Sequence, residues 1–475
     1  MTSRGTAFAG GAVAWSRSTN GAHSVKRCII LLAVCALAAA ACGDEMDWPT
    51  TTGATTTSGA TSTTAATTTT EATTTTQATT TSAADAGDTP ADIQELITAT
   101  EELRGRRFLE PIEVTVLSAD DLAARVRADM EEDLDPDDLA VEQALGQLLG
   151  ILPDDIDLAA AITDLYAEQV GGFYDSDTGE LVVAGGEDLS PLARIIIVHE
   201  LVHALADQHF DLGTTLDGLV EAEEYHQAAA LQALAEGDAT YFQMVYLQEG
   251  LSPEEQVDAV LESLETDTTV LDSLPGWIGE DLAFPYDWGF GFVEQLVEEG
   301  GIAAVDQAYE LLPTTVEQIM HPNVYLTLEP ARPVELAATA LQGYEVYEEG
   351  EFGEWNLMLY LLDGIGDGDA TVAAGGWGGD AYRIHWDGSR IAFAYLFEGD
   401  TPRDGEELAP ALVESLGASM AVGAPVSDEE AGTTLLEGEA YAFVQRVGAQ
   451  VLVVLADDPA AGRALVGELR FEPED

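Results

Sequence analysis

The chain has 475 residues and carries 87 acidic residues against 17 basic ones, a formal net charge of −70 at pH 7. This length is sufficient for one large or two ordinary domains. Such a charge would repel a phosphate backbone nearly everywhere and therefore argues against nucleic acid as a partner. It is typical of halophilic proteins that work in strong screening, although a very acidic exported protein is the alternative.

The N-terminal region has the pattern of an export signal. A basic pair precedes an apolar run over residues 28–41, which is short for a membrane span and ends in small residues. We therefore expect residues 1–41 to be a signal peptide and the protein to be extracytoplasmic. The Ala41-Cys42 junction resembles the lipobox of bacterial lipoproteins, which implies a lipid on Cys42 and anchorage to the cell membrane. Ala39 stands where that pattern prefers Leu, so plain secretion is the alternative.

Residues 42–90 are dominated by threonine, with alanine, glycine and serine. This segment has almost nothing apolar to bury, so we expect a disordered tether that holds the folded part off the membrane. The other two cysteines, Cys28 and Cys35, lie in the predicted signal peptide. The mature chain would therefore have no internal disulfide.

The folded part is expected to begin near Ala91 and to be of the α+β class. Alternation over residues 111–117 predicts a strand, and three helices are predicted after it. These helices run from Ser118 to about residue 132, over residues 139–152, and around Leu165 and Tyr166. Two short apolar segments, 172–174 and 180–184, flank a turn-rich stretch and predict a hairpin.

The most informative stretch is residues 195–205, an apolar run whose only polar members are His199, Glu200 and His203. On a helix, the i, i+4 spacing puts both imidazoles on one face, where they can bind one ion. Composition alone gives about 0.01 chance occurrences of this pattern in the chain. Three ionisable groups in such a helix would be costly to bury without a metal. We therefore predict an H-E-x-x-H zinc site with Glu200 as the general base.

A zinc ion that keeps one position open for water needs a third protein ligand. His209 has the spacing of the metzincin pattern H-E-x-x-H-x-x-G-x-x-H, but Ala206 stands where that pattern turns the chain with Gly. Glu236, in the segment 235–240, is the other candidate and would lie on a helix that begins near Leu219. We choose Glu236 and keep His209 as the alternative.

An E-G-x-A segment some tens of residues after H-E-x-x-H resembles the gluzincin-type zinc metallopeptidases, whose third ligand is that Glu. The chain is also similar to an uncharacterised group of bacterial secreted metallopeptidases. That likeness covers residues 168–175, 198–211, 317–322 and 376–380. The resemblance implies Zn²⁺ as cofactor and a peptide or protein as substrate.

The resemblance also implies a fold and a substrate edge. Residues 91–342 would form a zincin-like catalytic domain with a small sheet, the metal helix and a largely helical second half. In zincins the strand just before the metal helix forms the rim where an extended peptide adds on. Residues 181–184 are therefore the expected edge strand, with a plain structural hairpin as the alternative.

Several polar residues near the site have candidate roles. Asp207 and Asp238 could each be the carboxylate that fixes an imidazole tautomer, or ordinary acids in an acidic chain. Tyr225, His226 and His321 are candidate hydrogen-bond donors to a tetrahedral intermediate, or structural residues.

Beyond residue 250, helical segments are interrupted at 275–277 and at the aromatic stretch 284–289, which we expect to be loops that could line a cleft. From about residue 343 the pattern changes to paired strands around a helix, which predicts a C-terminal α+β lobe or domain over residues 343–475. The predicted strands are 382–386 with 391–397 and 441–447 with 450–455, and the helix between them is 406–416.

Two functions fit the sequence. One is a membrane-anchored zinc peptidase, and the other is a catalytically silent zinc-binding surface lipoprotein that serves as a binding module. Glu200 is not a metal ligand and would be free to change in a pure metal scaffold. Its presence favours the enzyme.

Overall fold

The computed structural model describes residues 91–185 and 188–471. The predicted signal peptide, the tether and Cys42 lie outside the described residues. Within them the protein is a mixed α+β structure. Up to residue 330 the elements are α1 (Ala91–Arg104), β1 (Glu113–Leu117), α2 (Ala119–Asp133), α3 (Pro136–Leu149), α4 (Leu158–Gln169), β2 (Gly172–Asp175), β3 (Glu180–Ala184), α5 (Pro191–Phe210), α6 (Leu212–Glu221), α7 (Tyr225–Glu249), α8 (Pro253–Ser263), a 3-10 turn (Leu271–Ser273), α9 (Gly276–Gly300), α10 (Ile302–Glu310), α11 (Val316–Met320) and α12 (Pro322–Thr327).

The C-terminal part begins with an extended segment and then forms a second sheet. Its elements are β4 (Glu345–Gly350), α13 (Gly353–Ile365), α14 (Asp367–Ala374), β5 (Trp377–Trp386), β6 (Ile391–Gly399), α15 (Pro402–Ser419), β7 (Val426–Asp428), β8 (Thr433–Glu437), β9 (Tyr441–Val447), β10 (Gln450–Ala456) and α16 (Pro459–Leu469). In the described part of the chain, no helix is both long enough and apolar enough to span a membrane.

The small N-terminal sheet has the strand order β1-β3-β2. The hairpin of β2 and β3 forms as predicted, and β1 pairs with β3 in parallel. The expectation that residues 181–184 form an edge is therefore wrong. Leu181, Val182 and Val183 are fully buried, as is typical of a strand with neighbours on both sides. The free edges of this sheet belong to β1 and β2.

Helix α5 carries the H-E-x-x-H residues. It begins where Ser190 accepts a hydrogen bond from the backbone N–H of Ala193, with Pro191 in the first turn. It packs against β2, β3, α1 and α7. The helix continues through Ala206 and ends only at Asp211, which adopts a left-handed conformation with φ 53°. The sharp turn that a metzincin would need at residue 206 is therefore missing.

Helix α7 starts at Tyr225, later than the predicted Leu219, because the chain forms α6 and then turns at residues 222–224. Glu223 there has a positive φ of 63°. The expectation that segments 275–277 and 284–289 are loops is also wrong, because they belong to helix α9 and its start. Pro275 precedes its first residue, and the aromatic stretch lies inside the helix with Pro285.

Helices α7 and α9 pack closely together where each has a glycine. A Cβ added to Gly237 would lie 2.1 Å from the carbonyl oxygen of Gly289. A Cβ added to Gly289 would lie 2.1 Å from the carbonyl oxygen of Ala233. The two backbones can approach this far only because neither glycine has a side chain. This contact fixes α9 against the helix that carries Glu236.

The C-terminal sheet has seven strands in the order β4-β5-β6-β10-β9-β8-β7, and each neighbouring pair is antiparallel. The two predicted strand pairs and the helix between them are all present. The apolar side chains of β10 point alternately to the two faces of the sheet. Val451 and Val453 share a hydrophobic cluster with Leu412 of α15, while Leu452 shares one with Leu465 of α16. Helices thus cover both faces of this sheet.

Candidate metal centre

Three predicted ligands converge between α5 and α7. The His199 and His203 Nε2 atoms are 3.0 Å apart, and the Glu236 Oε2 lies 3.2 Å from the first and 3.4 Å from the second. All three side chains are buried, with exposed fractions of 0%, 1% and 0%. They form the one group of three such donors close enough to share an ion in the described part of the chain.

The spacing of these donors suits a small tetrahedral ion. Donors that lie about 2.1 Å from a common centre at tetrahedral angles are about 3.4 Å from one another. The three distances here are 3.0, 3.2 and 3.4 Å. Two imidazole nitrogens and one carboxylate oxygen also match the donor types of zinc sites that leave a fourth position open. The residues present therefore fit such an ion.

Protonation within this group favours metal binding. Burial lowers the pKa of His203, so its imidazole is held neutral, which is the form that binds a metal. Burial alone would raise the pKa of Glu236, but the two imidazoles outweigh it and hold that pKa below its usual value. Glu236 thus offers an ionised carboxylate, and its Oε1 has no hydrogen-bond partner among the described residues.

Glu200 lies beside the ligands on the same helix and is fully buried. Burial raises the pKa of its carboxyl group well above the usual range, and the negative charge of Glu236 adds to the shift. A hydrogen bond from the backbone N–H of Tyr174 lowers this pKa and so opposes the shift. The same contact places β2 next to the Glu200 carboxylate. Neither carboxylate oxygen makes a well-formed hydrogen bond within the described part of the chain. Apart from the contact with the Tyr174 N–H group, Glu200 is thus a carboxyl group free to accept or donate a proton beside the converging ligands.

The imidazole of His199 is held from behind by a residue that sequence reasoning missed. Its Nδ1 donates to the Gln243 Oε1 at 2.7 Å, and both side chains are fully buried. This bond fixes the orientation of the ring, so that its Nε2 faces Glu236 and His203. A signal for Gln243 was present, because it lies seven residues after Glu236 and hence on the same face of α7.

The two carboxylates predicted for that supporting role have other partners. Asp207 accepts hydrogen bonds from the Tyr174 hydroxyl at 2.9 Å and from the backbone N–H of Gly213. Asp238 forms a buried ion pair with Arg104 of α1 at 3.2 Å and accepts from the Tyr309 hydroxyl at 3.2 Å. Neither therefore bonds an imidazole of the site, and Asp238 ties α7 to α1.

His209 and the predicted hydrogen-bond donors lie elsewhere. The His209 ring faces the carbonyl oxygen of Arg107 at 2.9 Å, and ten residues of continuous helix set it about 15 Å along the axis from His199. Tyr225 and His226 open α7, a similar distance from Glu236. His321 pairs with the carboxylate of Glu354 at 3.0 Å. None of these residues joins the three ligands.

An aromatic layer covers the site on the side of α9. The Tyr286 ring stacks on the His199 ring with centroids 6.1 Å apart and an interplanar angle of 27°. Tyr286 belongs in turn to a hydrophobic cluster with Tyr166, Phe173 and Leu282. The complete burial of the ligands means that this face of the site is closed.

Comparisons with known proteins address a different part of the chain. Residues 342–466 match the family described as "Domain of unknown function (DUF8575)". That segment runs from β4 into α16 and lies C-terminal to the three ligands. No curated protein and no solved structure shows a significant match to the chain. The comparisons therefore do not cover the candidate metal centre.

Proposed function

We propose that the protein is a zinc-dependent peptidase with a zincin-like N-terminal domain and a gluzincin-type ligand set of His199, His203 and Glu236. The observation that carries this proposal is the convergence of these three donors within 4.8 Å of one another, with the unpaired carboxyl group of Glu200 beside them. A purely structural zinc site is closed by four protein ligands, whereas a catalytic site keeps one position open. Three donors and an adjacent carboxyl group suit the catalytic case.

Zinc, when bound, would supply a Lewis acid that polarises the scissile carbonyl and lowers the pKa of water. Glu200 accepts the proton from the attacking water and passes it to the leaving amine. Its raised pKa suits this exchange, because a carboxyl group that holds its proton nearer neutral pH is a better donor in the second step. Glu236 stays ionised as a ligand, so the two carboxylates differ in role because their surroundings differ.

The substrate would bind as an extended peptide along β2. This strand has no strand partner on its second side, although it is buried and packs against α5, and the backbone N–H of Tyr174 in it faces Glu200. The cover over β2 must therefore open before a peptide can pair with it. Main-chain hydrogen bonds to such an edge bind a peptide with little regard to its side chains. Edge pairing would set the scissile bond beside the three ligands, after the aromatic layer over them has opened.

We further propose that the protein works outside the cytoplasm, anchored to the membrane by a lipid on Cys42, with secretion as the alternative. The basic pair, the apolar run over residues 28–41 and the Ala41-Cys42 junction support this. The acidic composition supports a high-salt setting. Replacing Cys42 by Ser should release the protein from the membrane fraction, and retention would contradict the lipid anchor.

A second candidate function is supported by one observation. Glu200 and the three ligands are all buried, and full enclosure is also what a catalytically silent zinc-binding module would have. The rival predicts a bound metal with no zinc-dependent hydrolysis. The two proposals therefore differ in a single measurable property.

The test uses the full mature protein with zinc and a broad mixture of peptides, read out by mass spectrometry against a chelated control. The peptidase proposal expects zinc-dependent cleavage by the natural protein and its loss in Glu200→Gln, with bound zinc unchanged. Cleavage that survives in Glu200→Gln would refute the role of Glu200. Zinc without any cleavage by the natural protein would favour the binding module.

A further inference from the structure

Tyr166 on α4 carries a hydroxyl group that the fold does not use. Its side chain is 3% exposed, and its hydroxyl has no hydrogen-bond partner among the described residues. Native proteins pair the large majority of their buried hydroxyls, so an unpaired one needs a specific explanation. A partner that arrives with the substrate would supply it.

The position of Tyr166 links it to the metal centre. It belongs to the same hydrophobic cluster as Tyr286, whose ring stacks on His199, and as Phe173 of β2, the strand next to Glu200. Besides burial, the negative charges of Asp281 and Glu236 raise the pKa of its hydroxyl well above the usual value. The hydroxyl group therefore stays protonated and within electrostatic reach of a ligand.

Two other buried tyrosines are already engaged. The Tyr174 hydroxyl donates to Asp207 at 2.9 Å, and the Tyr309 hydroxyl donates to Asp238 at 3.2 Å. Both bonds belong to the fold. Tyr166 differs from these two because its donor has no protein acceptor in the described part of the chain.

We propose that Tyr166 is a catalytic residue that donates a hydrogen bond to the carbonyl oxygen of the scissile peptide as that oxygen gains negative charge. This inference rests on the proposed peptidase function. No proton leaves the phenol: its O–H group donates to the oxygen, while Glu200 handles the proton that moves from water to the amine. A donor that is buried and already in place needs no reorganisation when the charge develops.

The test compares Tyr166→Phe with Tyr360→Phe, since both changes remove one hydroxyl from a buried tyrosine. Tyr360 lies on α13, where its hydroxyl faces Ser419 at 3.3 Å. With a peptide that the natural protein cleaves, kcat should fall by about 100-fold in Tyr166→Phe, while KM changes little and zinc content stays the same. Tyr360→Phe should keep the natural kcat.

A second measurement does not depend on turnover. A phosphonate analogue of the cleaved peptide mimics the tetrahedral charge, so Tyr166→Phe should weaken its binding by a similar factor by calorimetry. Binding of the peptide itself to the inactive Glu200→Gln background should change less than about threefold on adding Tyr166→Phe.

The outcomes separate the two proposals. A Tyr166→Phe variant that matches Tyr360→Phe in kcat and in phosphonate binding overturns the role of Tyr166 and leaves the peptidase proposal standing. A natural protein that binds zinc but cleaves no peptide overturns both. A loss of zinc in Tyr166→Phe would show a structural role instead and would also overturn the proposal.

Discussion

The Nδ1 of His199 and the Oε1 of Gln243 lie 2.7 Å apart across the interface of α5 and α7. The two helices that supply the candidate metal ligands are therefore joined by a hydrogen bond as well as by packing. Because Nδ1 donates in this bond, the ring is held with Nε2 facing His203 and Glu236. The pairing fixes the orientation of one imidazole of the candidate metal site before any ion binds.

Removing this partner should weaken metal binding without removing a ligand. Gln243→Ala leaves the Nδ1 of His199 unpaired in a fully buried position, and losses of this kind lower metal affinity by about 10- to 100-fold. Competition with a chromogenic chelator measures the effect. Gln318→Ala is the control, since Gln318 is also a buried amide but bonds the carbonyl oxygen of Glu329 instead. Equal zinc affinities in the two variants would exclude an orienting role for Gln243.

The glycine contact between α7 and α9 gives a prediction about stability. Gly237→Ala puts a Cβ 2.1 Å from the carbonyl oxygen of Gly289, so the helices must separate. We expect a loss of about 1–3 kcal/mol in the free energy of unfolding, measured by chemical denaturation. In Gly291→Ala, also on α9, the new Cβ has no atom within 4 Å, and a gain of about 0.5–1 kcal/mol is expected. A neutral Gly237→Ala would contradict the packing described.

Access to the buried ligands should depend on the segment before α9. The Glu168 carboxylate accepts hydrogen bonds from the backbone N–H groups of Val270, at 2.7 Å, and Leu271, at 3.1 Å. Leu271 packs in the same cluster as Tyr286, which covers His199. Glu168→Ala should loosen this cover and speed release of zinc to a chelator by about tenfold in stopped-flow measurements.

Glu101→Ala is the control for that measurement. Its carboxylate likewise accepts a backbone hydrogen bond, from Phe108 at 3.0 Å, but it lies on α1. An unchanged release rate in Glu168→Ala would show that the ion leaves by another route.

A pH-dependent stability difference is expected at Glu317. Burial and the neighbouring charge of Glu354 raise its pKa from 4.5 to about 8, with Asp400 and Glu329 adding and His321 opposing. The folded state therefore holds this proton more tightly than the unfolded state, so stability falls as pH rises between these two values. Glu317→Gln mimics the protonated form. It should match the natural protein near pH 5 and exceed its stability near pH 8 in denaturation curves, whereas parallel curves would contradict the shift.

Local patterns were sufficient for much of the fold. The apolar run around His199 predicted a buried helix, and alternation between turn residues predicted the hairpin and the C-terminal strand pairs. Periodicity reports which residues face a core, and this information is present in neighbouring positions of the chain. These elements could therefore be predicted without knowledge of the tertiary structure.

Strand pairing between distant segments and the packing of helices could be predicted less well from the sequence. The central position of β3 in its sheet depends on β1, which lies far earlier in the chain and pairs with β3 in parallel. The helical state of residues 284–289 depends on burial against α7, which outweighs the local preference of Gly and Pro for breaks. Gln243 carried only an i, i+7 relation to Glu236, too weak a signal by itself in a helix rich in polar residues.

Metal content tests most directly whether Glu236 is the third ligand. Zinc per chain should be measured by mass spectrometry on the purified natural protein and on Glu236→Ala and His209→Ala, with circular dichroism to show that each is folded. The account predicts about one zinc per chain in the natural protein and in His209→Ala, and a severe loss in Glu236→Ala, since two imidazoles alone hold zinc poorly. Full zinc in a folded Glu236→Ala, with loss in His209→Ala, would contradict it.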